Sequence, residues 1–134
     1  MNLLLNIDVP DLAAAEAFYV AAFGLRPARR FGGDVLELLG AQAPLYLLRK
    51  PEGSTGAADC ARGYGRHWTP LHCDVVVDDL DGALDRALAA GAMQEGAIRE
   101  AAWGCIVQLA DPFGHGWCLV EFRGCGYDEI ADPA

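Results

Sequence analysis

The side chains in this sequence best suited to chemistry at neutral pH are three histidines, His67, His72 and His115, and five cysteines at positions 60, 73, 105, 118 and 125. An imidazole can donate or accept a proton near neutrality, and a thiol becomes a nucleophile or a metal ligand once deprotonated. The histidines differ in setting. His72 lies in Leu71-His72-Cys73-Asp74, on a predicted strand, whereas His67 and His115 fall in predicted linker and turn segments and read as solvated. A lone strand histidine reads first as a polar cavity liner. The cysteines are odd in number and include no C-x-x-C pair. They read as reduced thiols of a cytoplasmic protein, not as a disulfide framework. Each alone is a small buried hydrophobe. Tyr46, Trp68 and Trp103 are the candidate aromatic surfaces that a flat organic ligand could stack on.

An internal repeat positions these residues. Asn6-Ile7-Asp8-Val9-Pro10-Asp11-Leu12 leads into an Ala-rich run ending at Gly24; Asp74-Val75-Val76-Val77-Asp78-Asp79-Leu80 leads into another ending at Gly91. Val9 and Val77, Asp11 and Asp79, and Leu12 and Leu80 all stand 68 residues apart, half of a 134-residue chain. Such a repeat implies two similar units.

In the first unit, residues 3–9 alternate as a strand, and Pro10-Asp11 opens a helix. Asp11 caps its free N–H groups and Gly24 ends it. Leu12, Ala15, Phe18, Tyr19, Ala22 and Phe23 share one face. Strands follow near 27–31, 34–39 and 43–50, with Gly32-Gly33 as a hairpin turn. The second unit repeats the plan: a strand at 70–77, then a helix at 79–90 capped by Asp79 and stopped at Gly91. Its apolar stripe is Leu80, Leu84, Ala87 and Leu88, and strands near 94–100, 103–110 and 116–123 complete it. Asp111-Pro112-Phe113-Gly114 makes the last turn. The glycine-rich segment 51–69 reads as a linker, and the polar tail from Gly124 as ordered only in part. The fold class is α+β. Two tandem β-α-β-β-β modules, at about 1–50 and 70–123 of a single domain, form a curled mixed sheet with a concave cleft.

Composition narrows the function. Apolar content of 53 % with 22 % charged residues is that of a globular domain. No run reaches the roughly 20 apolar residues of a membrane helix, and Met1-Asn2-Leu3-Leu4-Leu5 does not read as a signal peptide. A net charge of −9 argues against nucleic acid and against anionic membrane surfaces as partners.

Three motifs carry a resemblance. Val9-Pro10-Asp11-Leu12 precedes an Ala-rich helix with Phe18-Tyr19 and Phe23-Gly24-Leu25. Leu71-His72-Cys73-Asp74 runs into Val77-Asp78-Asp79-Leu80. Trp103-Gly104 is followed by Asp111-Pro112-Phe113-Gly114-His115 and Trp117. In this order they resemble the vicinal oxygen chelate superfamily of glyoxalases, bleomycin-resistance proteins and extradiol dioxygenases, over about Leu3 to Phe122. The resemblance implies paired β-α-β-β-β modules and a homodimer. It leaves function open, because this fold hosts enzymes and binding proteins alike.

Metal-dependent relatives place one ligand, usually His, Gln or Glu, on the first and last strand of each module. Carried over by motif, those positions are Leu4, Tyr46, His72 and Cys118. Leu cannot coordinate, Tyr is an uncommon ligand, and a catalytic site generally needs three protein ligands with an open position. The expectation is no cofactor; His72 and Cys118 are the ligands if a divalent metal binds. Cys118 as a thiol activated by His72 lacks an evident third, orienting residue. Glu121 alternates to the face opposite Cys118, and Trp117 points to the core between sheet and helix.

Without the carboxylates, the cleft is expected to be apolar and aromatic. Leu4, Tyr46, Trp68, His72, Trp103 and Cys118 are the candidate ligand contacts. The leading expectation is a protein that binds a small aromatic or antibiotic-like molecule. The alternative is a lyase or isomerase of the glyoxalase (lactoylglutathione lyase) type with an atypical or absent metal, and a third is a noncatalytic interaction domain.

Overall fold

A computed structural model describes residues 1–133. Two compact units divide the chain between Gly65 and Arg66. The first is a β-α-β-β-β module, the second follows the same plan with one strand split into two pieces, and the fold is α+β.

In the first unit, strand β1 (Leu5–Val9) leads into helix α1 (Leu12–Phe23). Asp11 stands in an extended conformation at the N-cap, and its Oδ1 accepts the Ala14 N–H at 3.0 Å. Such a cap is worth about 1 kcal/mol. Gly24 ends the helix at φ 67, a left-handed conformation that costs glycine little. Ala15, Phe18, Tyr19 and Ala22 are buried, one face of a 3.6-residue period. Strands β2 (Arg26–Phe31), β3 (Val35–Leu39) and β4 (Leu45–Arg49) complete a mixed sheet of order β1-β4-β3-β2, with β1 parallel to β4. The hairpin turn spans three residues, Gly32 to Asp34, one more than the Gly-Gly pair predicts.

Residues expected as a linker are folded as far as Tyr64. Thr55 bridges Ala61, and the Gly53 N–H bonds to the Arg62 carbonyl at 2.8 Å. Arg62 Nε donates to Asp8 Oδ2 of β1 at 2.6 Å, and the Tyr64 hydroxyl donates to the Lys50 carbonyl at 2.7 Å.

In the second unit, β5 (Cys73–Val76) leads into α2 (Leu80–Ala89), capped by Asp79. Gly91 lies at φ 111 after the helix. The Gly91 and Ala92 N–H groups bond back to the Leu88 and Ala87 carbonyls, a Schellman end. The buried stripe is Leu80, Ala83, Leu84 and Ala87. Ala83 thus takes the place expected for Leu88, which lies exposed because positions i, i+3, i+4 and i+7 face the sheet. The single strand expected near 94–100 is two short pieces, β6 (Met93–Gln94) and β7 (Arg99–Ala101). Both pair with β8 (Gly104–Ala110), which pairs with β9 (Gly116–Phe122). The sheet order is β5-β9-β8-β6, with β5 parallel to β9.

The tail is more ordered than its polarity implies. Gly126–Glu129 form a 3₁₀ turn, and Tyr127 packs 4.7 Å from Phe122 and 5.2 Å from Trp103, ring to ring.

Candidate functional site

Each sheet carries one transverse polar row. In the first unit Tyr46 pairs with Asn6 on one side and Glu37 on the other. In the second, Cys118 pairs with Asp74 and Gln108. Asn6 and Asp74 are 68 residues apart, so Tyr46 and Cys118 hold equivalent register positions.

The first row is built around a buried carboxylate. Glu37 is only 4 % exposed although it sits in an otherwise apolar strand. A β-bulge between Pro27 and Arg30 sets two residues of β2 against it and brings Arg29 onto it. Arg29 Nε and Nη2 donate to its two oxygens at 2.8 and 2.5 Å, and the Tyr46 hydroxyl donates to Oε1 at 2.7 Å. Arg29 Nη2 also donates to the Tyr46 oxygen at 3.0 Å. These bonds, Arg29's first, hold the Glu37 carboxyl down at about 2. In return the carboxylate pushes the Tyr46 phenol above its ordinary value. Strand alternation puts Glu37 and Tyr46 on one face, and an ion pair satisfies what an apolar wall would leave exposed. The surroundings expected to be apolar at Tyr46 are therefore polar.

Leu4 lies just before β1 and is exposed. It stands two residues before Asn6, as His72 stands two before Asp74. Of the four positions where the resemblance implies metal ligands, Leu4 has no donor atom and the Tyr46 hydroxyl is bonded into the Glu37 cluster. This donor set does not fit the metal of the family's catalytic members.

The second row brings His72, Asp74 and Cys118 together. His72 Nε2 lies 3.4 Å from Asp74 Oδ1. Cys118 is buried; that burial, and next the Asp74 carboxylate beside it, push its thiol up to about 11. At neutral pH it is a protonated thiol and a poor nucleophile. A small pit of about 10 Å³, room for roughly one water, is bordered by Arg66, Trp68, His72, Glu95, Gln108 and Cys118. Arg66 Nε and Nη2 donate to Glu95 at 2.6 and 2.7 Å, which holds the Glu95 carboxyl below its ordinary range. Trp68 is 66 % exposed, its ring 6.1 Å from that of His72.

Trp103 is placed elsewhere. Gly104, the next residue, pairs with Phe122 at the far end of the β8–β9 ladder from Cys118, and the Trp103 ring packs on Phe122 and Tyr127. Trp117 is buried and donates Nε1–H to Asp111 Oδ2 at 3.1 Å. Glu121 accepts the Leu80 N–H at 2.8 Å, at the start of α2 and away from the Cys118 face. Asp111 organises the turn before β9 by also accepting the Phe113 and His115 N–H groups and contacting His115 Nδ1.

Sequence reasoning passed over Asp74, Glu37, Arg29 and the Arg66–Glu95 pair. Asp74 was findable, since i and i+2 on a strand share a face. The Arg66–Glu95 pair joins residues 29 apart in sequence and leaves no local pattern.

The glyoxalase-like domain family model matches residues 5–120. An uncharacterized protein of Mycobacterium bovis, Mb0911c, is 33 % identical over 133 aligned positions, covering 93 % of this chain and 86 % of its own. Among solved structures, the fosfomycin resistance protein FosX of Listeria monocytogenes superposes with a TM-score of 0.69 at 16 % identity, over 92 % of this chain and 93 % of that one. A lactoylglutathione lyase from Agrobacterium tumefaciens gives 0.64 at 24 % identity, over 90 % and 92 %. These two likenesses show a common fold.

Proposed function

We propose, for a chain that belongs to the glyoxalase-like domain family of the vicinal oxygen chelate superfamily, that it binds a small aromatic or antibiotic-like molecule through side chains of its sheet faces and without the four-ligand metal of the family's catalytic members. The observation that carries this reading is the Arg29–Glu37–Tyr46 cluster. Where the resemblance implies a metal-binding residue, Tyr46 is bonded to a carboxylate that Arg29 already neutralises. A phenol fixed in this way presents a rigid aromatic face with a polar tip, a combination suited to flat ligands.

In the second unit, Trp68 and His72 are an exposed aromatic pair, with Cys118 and Gln108 beside them. In this reading the chain acts as a cytoplasmic homodimer. FosX is a fosfomycin resistance protein, which accords with an antibiotic-like guest.

The test is tryptophan quenching by a panel of planar aromatic compounds and antibiotics, with excess chelator present. Saturable quenching is expected, weakened by Tyr46→Ala. Affinity unchanged in that variant removes the reading.

A second reading, a glyoxalase-type lyase or isomerase, rests on the His72 imidazole held beside the Asp74 carboxylate. Turnover of a thiohemiacetal that is lost in His72→Ala supports it; no turnover with any added divalent ion sinks it.

A further inference from the structure

We infer that the guest held at Tyr46 is an aromatic anion, a planar ring bearing a carboxylate, and that Arg29 of β2 receives that carboxylate. The inference rests on the aromatic-ligand reading and names the chemical class of its guest. It stands on Arg26, Arg29 and Phe31, all within the first unit, and none of them is a position that the resemblance marks.

The first support is what the Glu37 cluster leaves open. Glu37 Oε2 accepts from Arg29 Nε, and Oε1 accepts from Arg29 Nη2 and from the Tyr46 hydroxyl. That carboxylate is buried with both oxygens engaged, so it has nothing to offer a cationic guest. The Tyr46 proton goes to Glu37, and the Tyr46 oxygen accepts from Arg29 Nη2. Arg29 Nη1 makes no hydrogen bond among the described residues, and the side chain is 67 % exposed. Its two N–H groups are held in place by the pairing of the opposite edge and call for an acceptor. An oxyanion in the guanidinium plane answers them with charge-assisted bonds.

The second support is charge. The chain has 19 acidic and 10 basic residues, yet Arg26, Arg29 and Arg30 lie on one six-residue strand. Arg30 is bonded to Glu16 of α1. Arg26 pairs with Leu39, two residues from Glu37, so it shares the Glu37 face. It makes no ion pair among the described residues. Arg26 and Arg29 against Glu37 leave one positive charge in excess there, which a second carboxylate balances.

The third support is aromatic. Phe31 pairs with Val35, also two residues from Glu37 and on the same face, and is 48 % exposed. Its ring lies 5.8 Å from Arg29 Cζ and 6.5 Å from the Tyr46 ring, inclined by 34° to it. An aliphatic acid would meet the charge and leave these rings in water. A neutral arene would cover the rings and leave the Nη1 donors without an acceptor.

Isothermal titration of 2-naphthoate and 2-naphthamide into the chelator-treated full chain tests this, because the two share a ring and differ in charge. Naphthoate is expected to bind about tenfold more tightly, with an advantage that shrinks as salt rises. Phe31→Ala weakens both compounds. Arg29→Lys keeps a cation beside Glu37 but removes the fork, and weakens naphthoate alone. In nitrogen-15 spectra of the wild type, the Arg29 guanidinium resonances move with naphthoate and not with naphthamide. Equal affinity for the two compounds overturns the inference and leaves the aromatic-ligand reading standing. Arg29 resonances unmoved by bound naphthoate overturn it as well. Binding of neither compound overturns it too, together with the reading beneath it if the whole aromatic panel also fails.

Discussion

Asp111 offers the sharpest test of how β9, and with it Cys118, is held in place. Its buried carboxylate accepts the Phe113 N–H at 2.8 Å, the His115 N–H at 3.0 Å and the Trp117 indole N–H at 3.1 Å. In Asp111→Ala those donors lose their acceptor. His115 is partly exposed and can turn to water, but the Phe113 amide and the Trp117 indole cannot. Each buried donor left unsatisfied costs about 1–3 kcal/mol. Two of them cost about 2–6 kcal/mol, a large share of the roughly 5–15 kcal/mol that holds a domain folded. For a chain of this size that is a fall in Tm of about 10–20 °C. Asp111→Asn keeps one carbonyl oxygen for the backbone amides but turns an NH₂ toward the indole, and should lose about 1–3 kcal/mol. Urea denaturation followed by circular dichroism gives both values. An Asp111→Ala protein within about 0.5 kcal/mol of wild type, the range of an ordinary surface change, would refute the assignment of the turn to this carboxylate.

Glu37 is held at about 2 in the fold against an ordinary 4.5, so the stability it contributes is complete above about 4.5 and drains away as pH falls toward 2. Glu37→Gln should flatten the pH dependence of the urea midpoint in that window. Cys118, buried and pushed up to about 11, should resist iodoacetamide at neutral pH while the exposed Cys60 and Cys125 are alkylated, as peptide mass spectrometry can read. Gly104 lies at φ 144, and a Cβ there would run into the Glu121 carbonyl and sit 3.0 Å from Phe122 Cα. Gly104→Ala should therefore cost at least about 2 kcal/mol of thermal stability, combining strain at φ > 0 with a backbone clash.

The caps and the repeat were legible because they are local. Asp11 and Asp79 each stand three residues before the N–H they accept, and the constant spacing of 68 residues carries the helix starts from one module to the other. The equivalence of Tyr46 and Cys118 follows from the same spacing once parallel pairing is known. What stayed hidden depends on partners distant in sequence. Asp8 and Arg62 bond across 54 residues, so the segment after Lys50 looks like a loose linker although it is strapped to β1. Glu37 could have been flagged by its setting, since a single carboxylate in Val-Leu-Glu-Leu-Leu needs a buried partner, but the bulge that supplies Arg29 has no signature in Pro-Ala-Arg-Arg. The interruption between β6 and β7 coincides with Gly96, at φ 156, a break that alternation alone does not reveal.

The most direct test of the account is isothermal titration of the best-quenching compound into chelator-treated wild type and Tyr46→Ala. One-site binding that excess chelator leaves undiminished, and that Tyr46→Ala weakens by about tenfold, or roughly 1.4 kcal/mol, is the predicted result. Binding that appears only when a divalent ion is added back, with Tyr46→Ala indistinguishable from wild type, would contradict it.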